Sequence, residues 1–192
     1  PRPDVSAYGW QQVGLEIYGA PLLNSWLDRE LGLAGRLVMS DGTTSLVRTE
    51  AIMRIPQLAI HLDRSVNDEG LRLDKQTHTQ PVWSVGHPEI HVLDHVAQAA
   101  GCSLGDIDGY DLRAYDTAAP AVFGPHQEFF AAGRLDNLSS MHASVTALIS
   151  AEGGDVVQMV AAFDHEELGS ASRSGASGPV LADVLTRISS GL

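Results

Sequence analysis

The sequence predicts an α/β protein in two parts: a β-rich module over residues 5–125 and an incomplete α/β module over 126–192. Three observations carry this. The first third is dense in short apolar runs bounded by glycine and turn residues, the pattern of strands and hairpins. The last third changes rhythm to helix, continuous apolar run, polar turn and helix, the order of a layer built around a parallel sheet. No internal repeat or low-complexity segment interrupts the chain.

Taken in order, GLEIYG (14–19) and GRLVMS (35–40) are the first apolar runs. SDGTTSL (40–46) then puts Asp-Gly between GRLVMS and SLVRTE, a hairpin signal because that pair tolerates positive φ. In MRIPQLAIHLDR (53–64), Pro56 suits the first turn of a short helix. Residues 65–87 are polar and irregular, a loop with at most one strand, PVWSV. PEIHVLDHVAQAAG (88–101) has apolar residues at helical spacing and a glycine stop. Ser103 is placed to cap a further turn, and YDLRAYD (110–116) reads as a strand. DNLSSMHASVTALISA (136–151) has a helical pattern, and GGDVVQMVAAF (153–163) reads as a strand buried on both faces. VLADVLTRI (180–188) closes as a helix.

Composition removes several function classes. With 44% hydrophobic and 19% charged residues in 192, the chain has the make-up of a globular protein, not a disordered one. No apolar stretch approaches the ~18 residues of a membrane span. The first residues, PRPDVSAYGWQQ, lack a secretory pattern, so the cytoplasm is the expected compartment. A lone Cys102 excludes an intrachain disulfide and a cysteine-only zinc site, and reads as a small buried residue. Twelve basic against 24 acidic residues give −12, a field that repels phosphate backbones, so nucleic acid is not an expected partner.

The chemistry concentrates in DHEELG (164–169), directly after the apolar run, where Asp164, His165, Glu166 and Glu167 follow one another. Open α/β sheets place their sites at the carboxyl ends of strands. Two adjacent glutamates there can divide labour, one binding a metal and the other taking a proton from water. A solvated acidic turn is the plainer reading of the motif alone. Asp136, in RLDNL, opens the preceding helix. It reads equally as a cap and as a carboxylate bridging two ions, which two-metal hydrolases hold about 3.5–4 Å apart. His91 and His95 share helical spacing but lack the glutamate of a zincin motif, and they read as surface residues. GASG (175–178) is too short for a nucleotide loop, and Ser170, Ser172 and Ser174 have no nucleophile elbow.

Together, RLDNLSSMHASVTALI and VVQMVAAFDHEELGSASRSGA resemble the core of the aspartyl aminopeptidases, co-catalytic zinc exopeptidases. QQVGLEIYGAPLLNSWLDRELGLAGRLV, LVRTEAIMRIPQLAIHLDR and DTAAPAVFG follow the same family order, so the resemblance covers nearly the whole chain. It implies an α/β/α sandwich, present here in part, with residues 5–125 as a β-rich inserted dimerisation domain. It implies two zinc ions, with Asp136 the bridging ligand, Glu167 a ligand of one ion and Glu166 the general base. Asp164 and His165 would shape the turn. His61 would reach a neighbouring subunit's active site and touch substrate there. By itself His61 reads as an ordinary histidine on an amphipathic element.

The same resemblance implies release of an N-terminal aspartate or glutamate from peptides, by a tetrahedral dodecamer. It also places other ligands outside the segments matched here: a histidine before QQVGLEIYG, and an aspartate and a histidine after Leu192. These 192 residues alone are therefore expected to be inactive, since two carboxylates and a base do not close a dinuclear site. Two other readings stand beside this one. The related tetrahedral glutamyl-type aminopeptidases share the acidic framework but carry a shorter insert. A non-catalytic assembly module would use the β-rich part alone and need no metal.

Overall fold

The computed structural model describes residues 2–191. It divides into one unit of Pro1–Ile17 and Pro21–Ala119, and a second of Tyr18–Ala20 and Pro120–Leu192. The three residues Tyr18–Ala20 thus group with the C-terminal part of the chain.

The first unit opens with β1 (Arg2–Ala7) and β2 (Trp10–Gly14), an antiparallel pair in which Ala7 faces Trp10. The two residues between them, Tyr8 (φ 51) and Gly9 (φ 81), are both left-handed, which matches the twist of a two-residue hairpin. The first strand of the GLEIYG region therefore ends at Gly14, and residues 15–18 lie beyond it. β3 (Leu31–Met39) and β4 (Thr44–Arg48) form the hairpin expected at Asp41–Gly42. Next come a single helical turn, α1 (Val66–Glu69), and β5 (Val82–Val85), the one strand expected in the polar loop. α2 (Val92–Ala100) ends at a left-handed Gly101, the glycine stop. Ser103 and Asp106 make a reciprocal capping box on the next turn. β6 (Ile107–Asp116) completes the unit.

Two three-stranded antiparallel sheets result, in the orders β1-β2-β5 and β4-β3-β6. Along β3 the alternation of a half-buried strand puts Leu31, Leu33 and Leu37 inward, all at 0% exposure. Val92 and Val96, one helical turn apart on α2, join the same cluster with Val13, Met53, Ile55 and Leu112. Burial of each leucine stabilises the unit by about 1.5–3 kcal/mol before cavity effects are counted.

No helix starts at Pro56. Arg54 exchanges both backbone hydrogen bonds with Val82 (2.9 and 2.8 Å), and Asp28 N–H donates to the Ile55 carbonyl. Residues 53–55 are thereby committed to bridges with neighbouring strands. Pro56, which has no N–H to offer a ladder, follows directly. Pairing with β5 wins over the local preference for a helical turn.

The second unit contains the hairpin β7 (Ala121–Phe123) and β8 (Phe129–Ala131), then α3 (Leu135–Ser150) and α4 (Val180–Gly191). The rings of Phe123 and Phe129 stack across the hairpin at 5.2 Å. Both predicted helices are present. The predicted strand over 153–163 is not: the segment joins no ladder, and Val156 and Val157 are 72% and 84% exposed. A central strand takes its burial and half of its hydrogen bonds from strands on either side. Among the described residues none pairs with this one, and every sheet ladder is antiparallel. No residue of α3 or α4 is buried either.

Candidate functional site

The DHEELG segment forms one tight turn. Glu166–Leu168 is a single 3-10 turn between His165 (φ 65) and Gly169 (φ 84), both left-handed. The His165 carbonyl accepts from the N–H groups of Leu168 (3.2 Å) and Ser170 (3.1 Å), and the Glu166 carbonyl accepts from Gly169 N–H (2.8 Å). Glu166 and Glu167 are thus carried side by side on a loop closed by its own backbone, with both residues exposed.

The turn is braced from an unexpected direction. Tyr18 Oη lies 3.2 Å from His165 Nδ1, across 147 positions of sequence. The two rings are tilted at 53° with centroids 6.2 Å apart. Gly19 (φ 71) abuts Glu167 so closely that a Cβ there would stand 2.8 Å from Glu167 Cβ and 3.1 Å from its Oε2. On the other side, His165 N–H donates to Asp164 Oδ1 (2.9 Å), and Asp164 Oδ2 stands 4.0 Å from His165 Nε2. Asp164 and His165 therefore shape the turn.

Asp136 stands at the start of the regular part of α3. Arg134 is left-handed (φ 62), while Asp136 (φ −84, ψ 114) and Asn137 (φ −107, ψ 15) depart from helical geometry, and the peptide joining these two is cis. Regular helix begins beyond them, and the positive end of its dipole favours a carboxylate at this place. Left-handed non-glycine residues cost about 1–2 kcal/mol each. Among the described residues of this unit there are four, Gln127, Arg134, His165 and Ser170, of which Arg134 and His165 flank Asp136 and Glu166. Such strain persists where surrounding structure over-determines it, typically at sites.

His61 lies in the first unit, exposed in a turn closed by Leu62 N–H to the Ala59 carbonyl (2.8 Å). Its neighbours Leu58, Ile60 and Leu62 are also exposed, at 61%, 46% and 74%. It occupies a turn and lies in no helix or strand. His91 is the N-cap of α2 and not a member of it, so the His91/His95 pair does not share a helix face. Cys102 is half-buried, its Sγ directed at the Ala97 carbonyl (3.6 Å).

As donors, the carboxylates of Asp136 and Glu167 are oxygen ligands of the kind zinc accepts. Among the described residues no three His, Cys, Asp or Glu side chains converge into a metal-holding group. These residues can therefore supply part of a zinc shell and not a closed one. Sequence reasoning missed Tyr18 and Gly19 as parts of this site. No spacing rule joins residues so far apart, and the left-handed φ of Gly19 has no local signature.

Comparison with known proteins gives the chain a family. A family profile described as aminopeptidase I zinc metalloprotease (M18) matches residues 1–192. A probable M18 family aminopeptidase 2 of Streptomyces coelicolor is 50% identical over 194 residues, covering 97% of this chain and 45% of that protein. A probable aspartyl aminopeptidase of Ricinus communis is 37% identical over 240 residues, covering 99% of this chain and 49% of that protein. The solved structure of the yeast mApe1 dodecamer matches 98% of this chain and 46% of its own, with a TM-score of 0.72 and 26% identity. The chain spans about half the length of the curated relatives it matches. A family match that spans residues 1–192, with relatives up to 50% identical, leads to one conclusion: the chain belongs to the M18 family of aminopeptidase I zinc metalloproteases.

Proposed function

We propose that this chain is part of a cytoplasmic metalloaminopeptidase that releases N-terminal aspartate or glutamate from peptides at a site of two zinc ions. The observation that carries the reading is the adjacent Glu166–Glu167 pair on a braced turn, within a chain matched end to end by a zinc aminopeptidase family. The naming of one relative as a probable aspartyl aminopeptidase supports the acidic preference. In this reading the second unit is the first portion of an α/β/α catalytic sandwich, and the first unit is its inserted dimerisation domain.

Each residue has a role that its chemistry allows. Asp136 and Glu167 would hold the ions, Asp136 as a ligand shared between them. When bound, zinc supplies Lewis-acid polarisation of the scissile carbonyl and acidifies the attacking water. Glu166 accepts that water's proton on a carboxylate oxygen and later delivers it to the leaving amine. His61, exposed among Leu58, Ile60 and Leu62, meets the substrate of a neighbouring subunit. The apolar rim of that turn supports burial against another copy, and the dodecamer recorded for yeast mApe1 supports an assembly of twelve, whose arrangement in this reading is tetrahedral.

The test is release of free aspartate from an Asp-initiated peptide by the full-length protein. Release should stop on chelation and return with added zinc. Turnover that persists in chelator, or release of neutral residues in preference to acidic ones, would overturn the corresponding part of the proposal.

A further inference from the structure

We propose that Tyr18 and His165 form a positioning pair that sets the orientation of the Glu166–Glu167 turn, a role that rests on reading Glu166 as base and Glu167 as ligand. His165 is the pivot of the turn. Its carbonyl receives two of the turn's three closing hydrogen bonds, from Leu168 and Ser170. Its backbone is left-handed at φ 65, a conformation uncommon outside glycine that histidine adopts more readily than most residues. Its partners are Tyr18 Oη on Nδ1 (3.2 Å) and the Asp164 carboxylate, which takes the backbone N–H at 2.9 Å and faces Nε2 at 4.0 Å.

With the tyrosine hydroxyl as donor, Nδ1 is the acceptor at 3.2 Å, and Nε2 stands 4.0 Å from the Asp164 carboxylate. Rotation of the imidazole breaks the contact with Tyr18, and the turn that bears the glutamates then loses its side-chain anchor to the Tyr18–Ala20 segment. Gly19, next in sequence to Tyr18, closes against Glu167 from the same segment. The segment Tyr18–Ala20, which groups with the second unit, thus meets the turn at His165 and at Glu167. Groups that orient ligands from outside the coordination shell typically change metal affinity or activity by about 10–100-fold when removed.

The experiment uses the full-length, zinc-loaded protein. Tyr18→Phe keeps the ring and removes only the hydroxyl. It should lower kcat about tenfold with KM little changed, and should lose zinc to a chelator about tenfold more readily. His165→Asn keeps a residue that tolerates left-handed backbone and offers an acceptor near the Nδ1 position, so it should retain most activity, whereas His165→Ala should not. On the His165→Ala background, Tyr18→Phe should cost nothing further, because paired residues do not act additively. A mere packing role predicts the reverse: multiplied losses in the double variant and no rescue by asparagine.

The proposal fails if Tyr18→Phe leaves both kcat and zinc retention at wild-type values, or if the two losses multiply. Glu166→Gln, measured alongside, separates the two levels. If Glu166→Gln is inactive while Tyr18→Phe is normal, only the positioning pair falls. If Glu166→Gln turns over normally, the reading of the site falls and takes the pair with it.

Discussion

Replacing Gly19 by alanine perturbs the candidate site through one added carbon, and the size of the effect follows from two local quantities. The first is conformational: Gly19 has φ 71, and an alanine there costs about 1–2 kcal/mol relative to an unstrained backbone. The second is steric. The new Cβ falls 2.8 Å from Glu167 Cβ, whereas carbon atoms pack best at about 3.5–4.0 Å, so Glu167 must retreat by about 0.7–1.2 Å. A misplacement of about 1 Å beside the reacting centre costs on the order of 10²-fold in rate. Gly42 is the matched control, since its φ is 83 and nothing lies within 4 Å of a Cβ there. Both variants should lose stability to urea from the left-handed backbone, Gly19→Ala the more because of the added clash. Only Gly19→Ala should lower kcat/KM for an Asp-initiated peptide, by about two orders of magnitude. Equal kcat/KM for the two variants would refute the argument that Gly19 keeps Glu167 in place.

The rest of the molecule makes three further predictions. Leu33→Ala, at a fully buried position of β3, should cost about 3–5 kcal/mol in urea unfolding, while Leu46→Ala at 84% exposure should stay within about 0.5 kcal/mol. Asp41 is held below the ordinary 3.8 by hydrogen bonds from the Thr43 hydroxyl (2.6 Å) and Thr43 N–H (2.9 Å). A depressed carboxylate pKa contributes stability above 3.8 that is lost as pH falls through the folded value. The penalty of Asp41→Ala should therefore be complete at neutral pH and fade under acid titration; a penalty that grows towards low pH would contradict it. In hydrogen exchange on the 192-residue chain, β3 amides paired with β6 should be the slowest, and the amides of 156–159 should exchange without protection. Protection of 156–159 would show a sheet that the structure lacks.

Much of the first unit was legible because its signals are local. Asp41–Gly42 states its own turn, Gly101 its own helix stop, and the leucines of β3 alternate with the pleat. The Tyr8–Gly9 hairpin was missed because tyrosine seldom adopts positive φ and carries no turn signature. Pro56 misled for the opposite reason: its helical preference is local, whereas the pairing of Arg54 with Val82 is not. The run 153–163 has the composition of a central strand, but composition records what a segment can be buried by, not whether that neighbour is present. At the site, the residue types of Asp136, Glu166 and Glu167 were visible in the sequence. The Tyr18–His165 contact was not, since it depends on the fold bringing together the two ends of a 147-residue interval.

The central claim is that Glu166 is the proton acceptor of a zinc aminopeptidase. The most direct test is Glu166→Gln in the full-length protein, with aspartate release and bound zinc measured on the same sample. The amide matches the carboxylate in size but cannot take the proton, so turnover should be abolished while zinc content stays at the wild-type level. Turnover that survives the substitution would contradict the claim.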